Sequence, residues 1–334
     1  MKTILPLLLV ATACLGDLAT DPILYPYGPS EGDRITPRKD DGATSAIPIS
    51  TPFVFFGKKH NSLYVNNNGV ISFGVAVSKY TPDAFPLTDG SPFVAPYWGD
   101  VNNQIAGKVY YRESKDPNLL DRISKDMKEY YPNFNYRATW IFVRKARISQ
   151  ILGSFQRRRQ KIPNRRGTSI VDLDITPTNT FQAVLTSNGK LAFIILNYGP
   201  ITWTTGKASG GDPLTGLGGI PAQAGFNSGD KTHYFNIPGS RTPDIVNIKK
   251  TSNVNTPGRW VFEVDRFRPA GGCVYEANFV RYNETFWKDP TCEMKCKCNM
   301  DGDVECEEEW CSSNLLCQSS TWHYTCRIGI GQCF

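Results

Sequence analysis

Between Ser50 and Phe267 the chain is written in short runs of aromatic and β-branched residues, broken by turn residues about every ten positions. The segment SLYVNNNGVISFG, Ser62 to Gly74, alternates large apolar with small or polar residues on either side of Asn67, Asn68 and Gly69. Asn and Gly tolerate positive φ, so this pattern predicts a hairpin. STPFVFFG, SPFVAPYWGDV, GKVYYRE, ATWIFV and GRWVFEVDRF predict further strands, and TSNGK joins FQAVL to LAFIILNY as a second hairpin through Asn188-Gly189. Many short strands with regular turns indicate a mainly β body, an antiparallel sandwich-like or barrel-like fold. One segment leaves this period. DPNLLDRISKDMKEYYP sets Leu119, Leu120, Ile123 and Met127 near helical spacing, carries acids early and is stopped by Pro132. It predicts one amphipathic helix packed on the sheet. From Trp203 to Gly239 nine glycines predict turns and close backbone approaches. No G-x-x-x-x-G-K-[ST] occurs there, which argues against phosphate binding.

The ends of the chain change the picture. MKTILPLLLVATACLG joins basic Lys2, apolar Ile4 to Ala13 and small residues, the pattern of a secretory signal peptide over residues 1–16. Its apolar run is too short for a bilayer, and no later run is long enough for a membrane helix. The mature chain is therefore expected to be exported and soluble. Of ten cysteines, Cys14 lies in the leader and the rest fall between Cys273 and Cys333. The chain divides into a cysteine-free body, 17–266, able to bury its own core, and a tail, 267–334, too small to fold without staples. Zinc would want paired C-x-x-C or Cys with His at ligand spacing. In an exporting compartment disulfides are the default for Cys273, Cys292, Cys296, Cys298, Cys306, Cys311, Cys317, Cys326 and Cys333. Nine is odd, which leaves one thiol for another chain or for a cysteine beyond Phe334. Asn283-Glu284-Thr285 is the one N-x-[ST] sequon, so Asn283 is a glycan candidate. Asn299, Asp301 and Asp303 fit alternate positions of a calcium loop, but Val304 and Trp310 stand where Gly and Glu are required, so a hairpin turn is expected. His60, His233 and His323 lie in turn-like contexts with no nucleophile elbow, H-E-x-x-H or carboxylate pair, so no catalysis and no cofactor are expected. Asp100 in YWGDV is read as a buried acceptor that fixes its loop.

LYPYG, TPRKDDG, STPFVFFG, LYVNNNGVISFG, FVAPYWGDV, VYYRE, NTFQAVL, ITWTTGKASGG, GLGGIPAQAGFN, YFNIPGSRT and PGRWVFEVD together resemble the NIDO domain. That domain is shared by nidogens, alpha-tectorin and related extracellular matrix proteins, and the likeness is greatest to the alpha-tectorin-like members. It runs from Leu24 to about Asp265. The resemblance implies a secreted module of filamentous or sheet-like matrices, engaged in cell–matrix adhesion through other matrix proteins, with no catalytic residues. The tail, with Cys273, ETFW, the cluster Cys292, Cys296, Cys298, the DGD turn, then Cys306 and Cys311, is similar to von Willebrand factor type C and trypsin-inhibitor-like-associated modules. That likeness admits an alternative, a cysteine-rich inhibitor or growth-factor-binding regulator presenting Lys295 or Lys297 on a disulfide-framed loop.

One stretch stands apart. RKARISQILGSFQRRRQKIPNRRG holds Arg144, Lys145, Arg147, Arg157, Arg158, Arg159, Lys161, Arg165 and Arg166 and no acid. Without these the formal charge of +6 turns negative, so the basic character is local. It has no aromatic interleaving and no zinc or helix-turn-helix context, which argues against nucleic acid. In the NIDO pattern an apolar strand follows ATWIFV, whereas here Val143 runs into RKARISQ and family residues return near Thr178. Two readings stay open. One is an exposed loop that binds sulphated glycosaminoglycan. The other is that 144–177 is translated intron or misjoined exon, since Val-Arg can be encoded by a splice-donor sequence. On either, the segment is expected to leave the sheet as a disordered excursion, with one strand lost.

Overall fold

The computed structural model describes residues 21–87, 89–149, 157–164, 167–174, 177–311, 315–320 and 322–328, with residues from 149 to 174 described by their backbone. Two antiparallel sheets face each other. One has seven strands in the order Arg34–Ile35, Lys108–Ser114, Trp140–Ser149, Thr178–Ser187, Ala192–Tyr198, Arg259–Glu263 and Arg268–Pro269. The other has six, in the order Tyr234–Asn236, Gln223–Asn227, Phe93–Trp98, Val70–Ser72, Lys58–Asn66 and Ile47–Phe55. The predicted mainly β sandwich is what the chain forms.

Its centre explains the apolar runs. Ala192–Tyr198 is buried at every position, because both of its faces are covered. Ile194 and Leu196 face the six-stranded sheet, in one buried layer with Phe53 and Phe226 of that sheet and Trp260 of their own. Phe193 and Ile195 face the helix Pro117–Tyr130. Fully burying one such aliphatic or aromatic side chain contributes about 1.5–3 kcal/mol, and the continuous apolar run is the sequence mark of a strand covered twice. The helix is placed as predicted. Asp116 caps it by accepting from the Leu119 amide at 2.8 Å, Pro117 starts it, and Leu119, Ile123 and Met127 are its buried side.

Both predicted hairpins form. The turn after Asn66 passes so close to the next strand that a β-carbon on Gly69, at φ +93°, would lie 1.8 Å from the Tyr97 carbonyl oxygen. Glycine is the one residue that fits. His60, read as a turn residue, instead sits within the strand Lys58–Asn66 and stacks on Phe73 with centroids 4.5 Å apart. It shares a strand face with Tyr64, opposite the buried Leu63 and Val65, and Lys58 and Lys59 at the strand's start hide that alternation in the sequence.

The basic stretch is corrected more deeply. The strand does not end at Val143: Trp140–Ser149 runs straight through Arg144 and pairs in full register with Thr178–Ser187 on one side and Lys108–Ser114 on the other. Residues 157–164 and 167–174 are not disordered either, since Arg157–Asn164 and Gly167–Asp174 pair as two antiparallel strands. Ladder hydrogen bonds are made by backbone and are blind to side-chain identity. Period two also continues past Val143, with Ala146 and Ile148 in the same buried layer as Trp140 and Phe142. Among the described residues no helix is long and apolar enough to cross a membrane.

Candidate interaction surfaces

The tail builds a five-stranded sheet in the order Val304–Glu308, Met294–Cys298, Thr285–Trp287, Tyr324–Ile328 and Leu315–Ser319, next to the hairpin Gly272–Tyr275 with Asn278–Arg281. Among the described residues four disulfides tie it: Cys273–Cys298, Cys292–Cys317, Cys296–Cys306 and Cys311–Cys326. Cys333 lies outside the described residues. Around the staples sits a core of Val280 and Phe286, flanked by Tyr275 and Trp322, too small to hold the tail by burial alone. The tail is seated on the body. Phe279 packs edge-on to Trp260 at 5.5 Å, and the Arg281 guanidinium donates to the Ser252 carbonyl at 3.1 Å.

Asn283 is exposed in the turn between Asn278–Arg281 and Thr285–Trp287. Asn299 to Asp303 form the expected hairpin turn, in which the Asn299 side chain accepts from the amides of Asp301 and Asp303 at 3.1 and 2.9 Å. Lys295 and Lys297 stand within the strand Met294–Cys298, and Lys295 pairs with Glu309 at 2.6 Å. Neither is displayed on a loop, which removes the geometry the inhibitor reading needs.

The nine basic residues part company. Arg144 and Lys145 are buried in the strand Trp140–Ser149, against the expectation of an exposed glycosaminoglycan contact. Arg144 points between the sheets. Its guanidinium lies 4.8 Å over the Phe181 ring and donates at 3.4 Å to the Asn66 carbonyl, while Nε and Nη1 have no hydrogen-bond partner among the described residues. Desolvation pulls its pKa down to about 9. Lys145, on the outer face, sits 3.7 Å over the Tyr27 ring. Desolvation, helped by Arg147, brings its pKa down to about 7. Arg147 is exposed. Arg157, Arg158, Arg159 and Lys161 belong to the hairpin strand Arg157–Asn164, and Arg165 and Arg166 lie outside the described residues, as do residues 1–16, where a signal peptide was expected.

The two ends of the sandwich differ in chemistry. At the end carrying the Asn67–Gly69 turn, Asp100 is half-buried and accepts from the Ala208 amide at 2.6 Å, which ties its own loop to the glycine-rich one. Desolvation and the neighbouring Asp41 and Asp40 raise its pKa, and the three carboxylates lie within 4.8 Å of one another. The Asn68 side chain donates to Asp41 at 2.7 Å.

At the opposite end a cavity of about 660 Å³ opens between body and tail. Its floor is the stacked pair Phe56 and Phe267, with centroids 4.7 Å apart, and Tyr234 closes one side. Asp230, Asp265 and Glu276 line it from three separate segments. Asp230 pairs with His233 at 2.5 Å. Against its desolvation, hydrogen bonds from the His233 amide and the Ser228 hydroxyl hold the Asp230 carboxyl well below its usual range. Phe56, Phe267, Glu276 and Ala277 all have φ between 46° and 62°, a left-handed conformation that costs energy for residues other than glycine. Nothing in the sequence flagged this cavity, because its lining is assembled from turns far apart in the chain.

A family model, the nidogen-like domain, matches residues 61–266. Alpha-tectorin of Mus musculus is 46% identical over 308 residues, 91% of this chain and 13% of its own length. Alpha-tectorin of Gallus gallus is 48% identical over 288 residues, covering 85% of this chain and 13% of its own. Nidogen of Drosophila melanogaster is 28% identical over 231 residues, 68% of this chain and 15% of its own. The chain thus spans 13% of the length of the curated alpha-tectorins it matches. No solved structure matches it.

Proposed function

The chain belongs to the nidogen-like domain family, and from that premise we propose that it is a secreted extracellular matrix module, acting in matrix assembly and cell–matrix adhesion through contacts with matrix proteins. The observation that carries this reading is the nidogen-like match over 61–266. The arrangement agrees with it. A rigid sandwich presents turns at its two ends, and a stapled tail is packed on it as a second contact surface. We read 1–16 as leader, 17–266 as the nidogen-like body and 267–334 as a von Willebrand factor type C or trypsin-inhibitor-like-associated module, with a glycan on Asn283. The role is one of contact, and no chemistry is assigned to it.

The test is partition. Expressed in cells that lay down a matrix, the tagged chain is expected in the insoluble layer, released by chaotrope and not by buffer alone. Recovery of all of it from the medium would sink the reading.

A further inference from the structure

The cavity at the junction of body and tail joins two features that suit one kind of guest. Its floor is the outer end of a stack of three rings. Phe262, wholly buried in the core, stacks on Phe267 with centroids 5.9 Å apart, and Phe267 stacks in turn on Phe56 at 4.7 Å. Phe226 and Phe235 pack against Phe267 from the core, each at 5.6 Å. The Phe56 amide donates to the Val264 carbonyl at 2.7 Å. The floor is thus held by the body before anything binds, which spares a guest the cost of ordering it. Phe56 and Phe267 are themselves only half-buried, so ring surface faces the cavity.

The walls are acidic. Asp230 is taken up by His233. Asp265 and Glu276, one from the body and one from the tail, make no salt bridge among the described residues. Against these carboxylates stands Arg266, which is exposed. Ring faces attract ammonium and guanidinium groups alike, but the pairing of ring and carboxylate favours the second. A guanidinium is planar and weakly hydrated, so it lies flat on a ring while its edge donates in a fork to a carboxylate. A lysine ammonium is a compact, strongly hydrated charge and does less of each. The cavity of about 660 Å³ takes such a side chain together with some of the backbone that carries it.

We propose that this cavity docks an arginine presented on an extended or loop segment of a partner protein, its guanidinium lying on the Phe56–Phe267 floor and donating to Asp265 and Glu276. The proposal deepens the contact reading above and rests on it, naming the surface and the chemistry of the partner. Body and tail each supply a wall, so the site belongs to the two together.

The experiment is saturation-transfer NMR on the full secreted chain, with acetyl-Gly-Gly-Arg-Gly-Gly-amide at millimolar concentration as the probe. Peptides with citrulline or lysine in place of the arginine are compared with it, citrulline keeping the shape of the side chain without its charge. The arginine side-chain protons are expected to receive saturation from the protein. Both replacements are expected to bind more weakly, citrulline by at least about tenfold. Asp265→Asn with Glu276→Gln is expected to weaken the arginine peptide by a similar factor while its thermal unfolding midpoint stays at the parent's, and Asp265→Glu, which keeps the charge, to bind as the parent does. An arginine peptide that receives no saturation overturns the proposal, as does a neutralised variant that binds it unchanged. Equal affinity for citrulline or for lysine also overturns it, since the cavity then reads no guanidinium. A chain that enters the insoluble matrix layer without binding the peptide loses the docking site and keeps the matrix reading. One that binds the peptide and stays wholly in the medium keeps the site and loses that reading.

Discussion

Replacing Arg144 with methionine removes a cation from between two sheets and puts an unbranched apolar chain in its place. The guanidinium is fully enclosed, with one long hydrogen bond to the Asn66 carbonyl, the Phe181 ring beneath it, and two donor nitrogens unpaired among the described residues. Burial pulls its pKa well below the ordinary arginine value, to about 9, because desolvation disfavours the charged form. At ~1.4 kcal/mol for each pH unit this is on the order of 5 kcal/mol. The ring and the carbonyl offset part of it, and replacing a buried ion by a packed apolar group stabilises by about 1–4 kcal/mol where it has been measured. Arg144→Met is therefore expected to be more stable by roughly 3 kcal/mol, raising the Tm of a body this size by roughly 5–10 °C. Guanidinium chloride unfolding at pH 7, followed by tryptophan fluorescence with the disulfides intact, reads the difference. Arg147→Met, three residues on and exposed, serves as the control and is expected to move stability by no more than about 0.5 kcal/mol. If Arg144→Met is less stable than the parent by more than about 1 kcal/mol, the cation has a compensating partner and the reasoning fails.

Three further outcomes are expected. Lys145 has a pKa of about 7 in the folded chain against 10.5 for an ordinary lysine, so the unfolded chain binds more protons between those values and stability rises as pH goes from 7 to 9. The rise follows from linkage; it flattens in Lys145→Met, and a parent whose unfolding midpoint is constant over that range contradicts it. Gly69→Ala sets a β-carbon against the Tyr97 carbonyl and is expected to cost more than about 4 kcal/mol, visible as failed secretion. Non-reducing peptide maps are expected to show Cys273–Cys298, Cys292–Cys317, Cys296–Cys306 and Cys311–Cys326. Serine at both Cys292 and Cys317 opens a loop of 25 residues, at a cost of ~3.5 kcal/mol in the chain-entropy model, and makes the tail protease-sensitive while the body stays resistant.

Strands, hairpins and the helix were legible where one physical signal acted alone. Asn67-Asn68-Gly69 could be nothing but a turn between alternating runs, and Asp116, Pro117 and the spacing of Leu119, Ile123 and Met127 mark a capped helix. Legibility failed where charge overrode periodicity. Arg144 and Lys145 looked like the end of a strand, yet Ala146 and Ile148 kept its phase, and neighbours on both sides supplied ladder partners that ask nothing of a side chain. The cavity was illegible for another reason. Phe56, Asp230, Asp265 and Glu276 are ordinary turn residues until the fold brings four turns together, and no local pattern records that meeting. The cysteines announced disulfides but not their pairing, which depends on the register of the tail strands.

Closure of the body joins its extremes. The Arg259 guanidinium donates to the Ile23 carbonyl at 2.7 Å, and Tyr25 exchanges hydrogen bonds of 2.9 and 3.0 Å with the Gln182 side chain. During synthesis Tyr25 and Ile23 thus wait, without these partners, for residues that lie 157 and 236 positions later in the chain. Contacts of such long sequence separation make folding slow and the waiting chain open to aggregation. The tail runs on a different clock, since its staples form at the pace of thiol oxidation. A cell making this protein needs chaperone cover first and oxidising power second, and a shortage of either would leave a different half of the molecule unfinished.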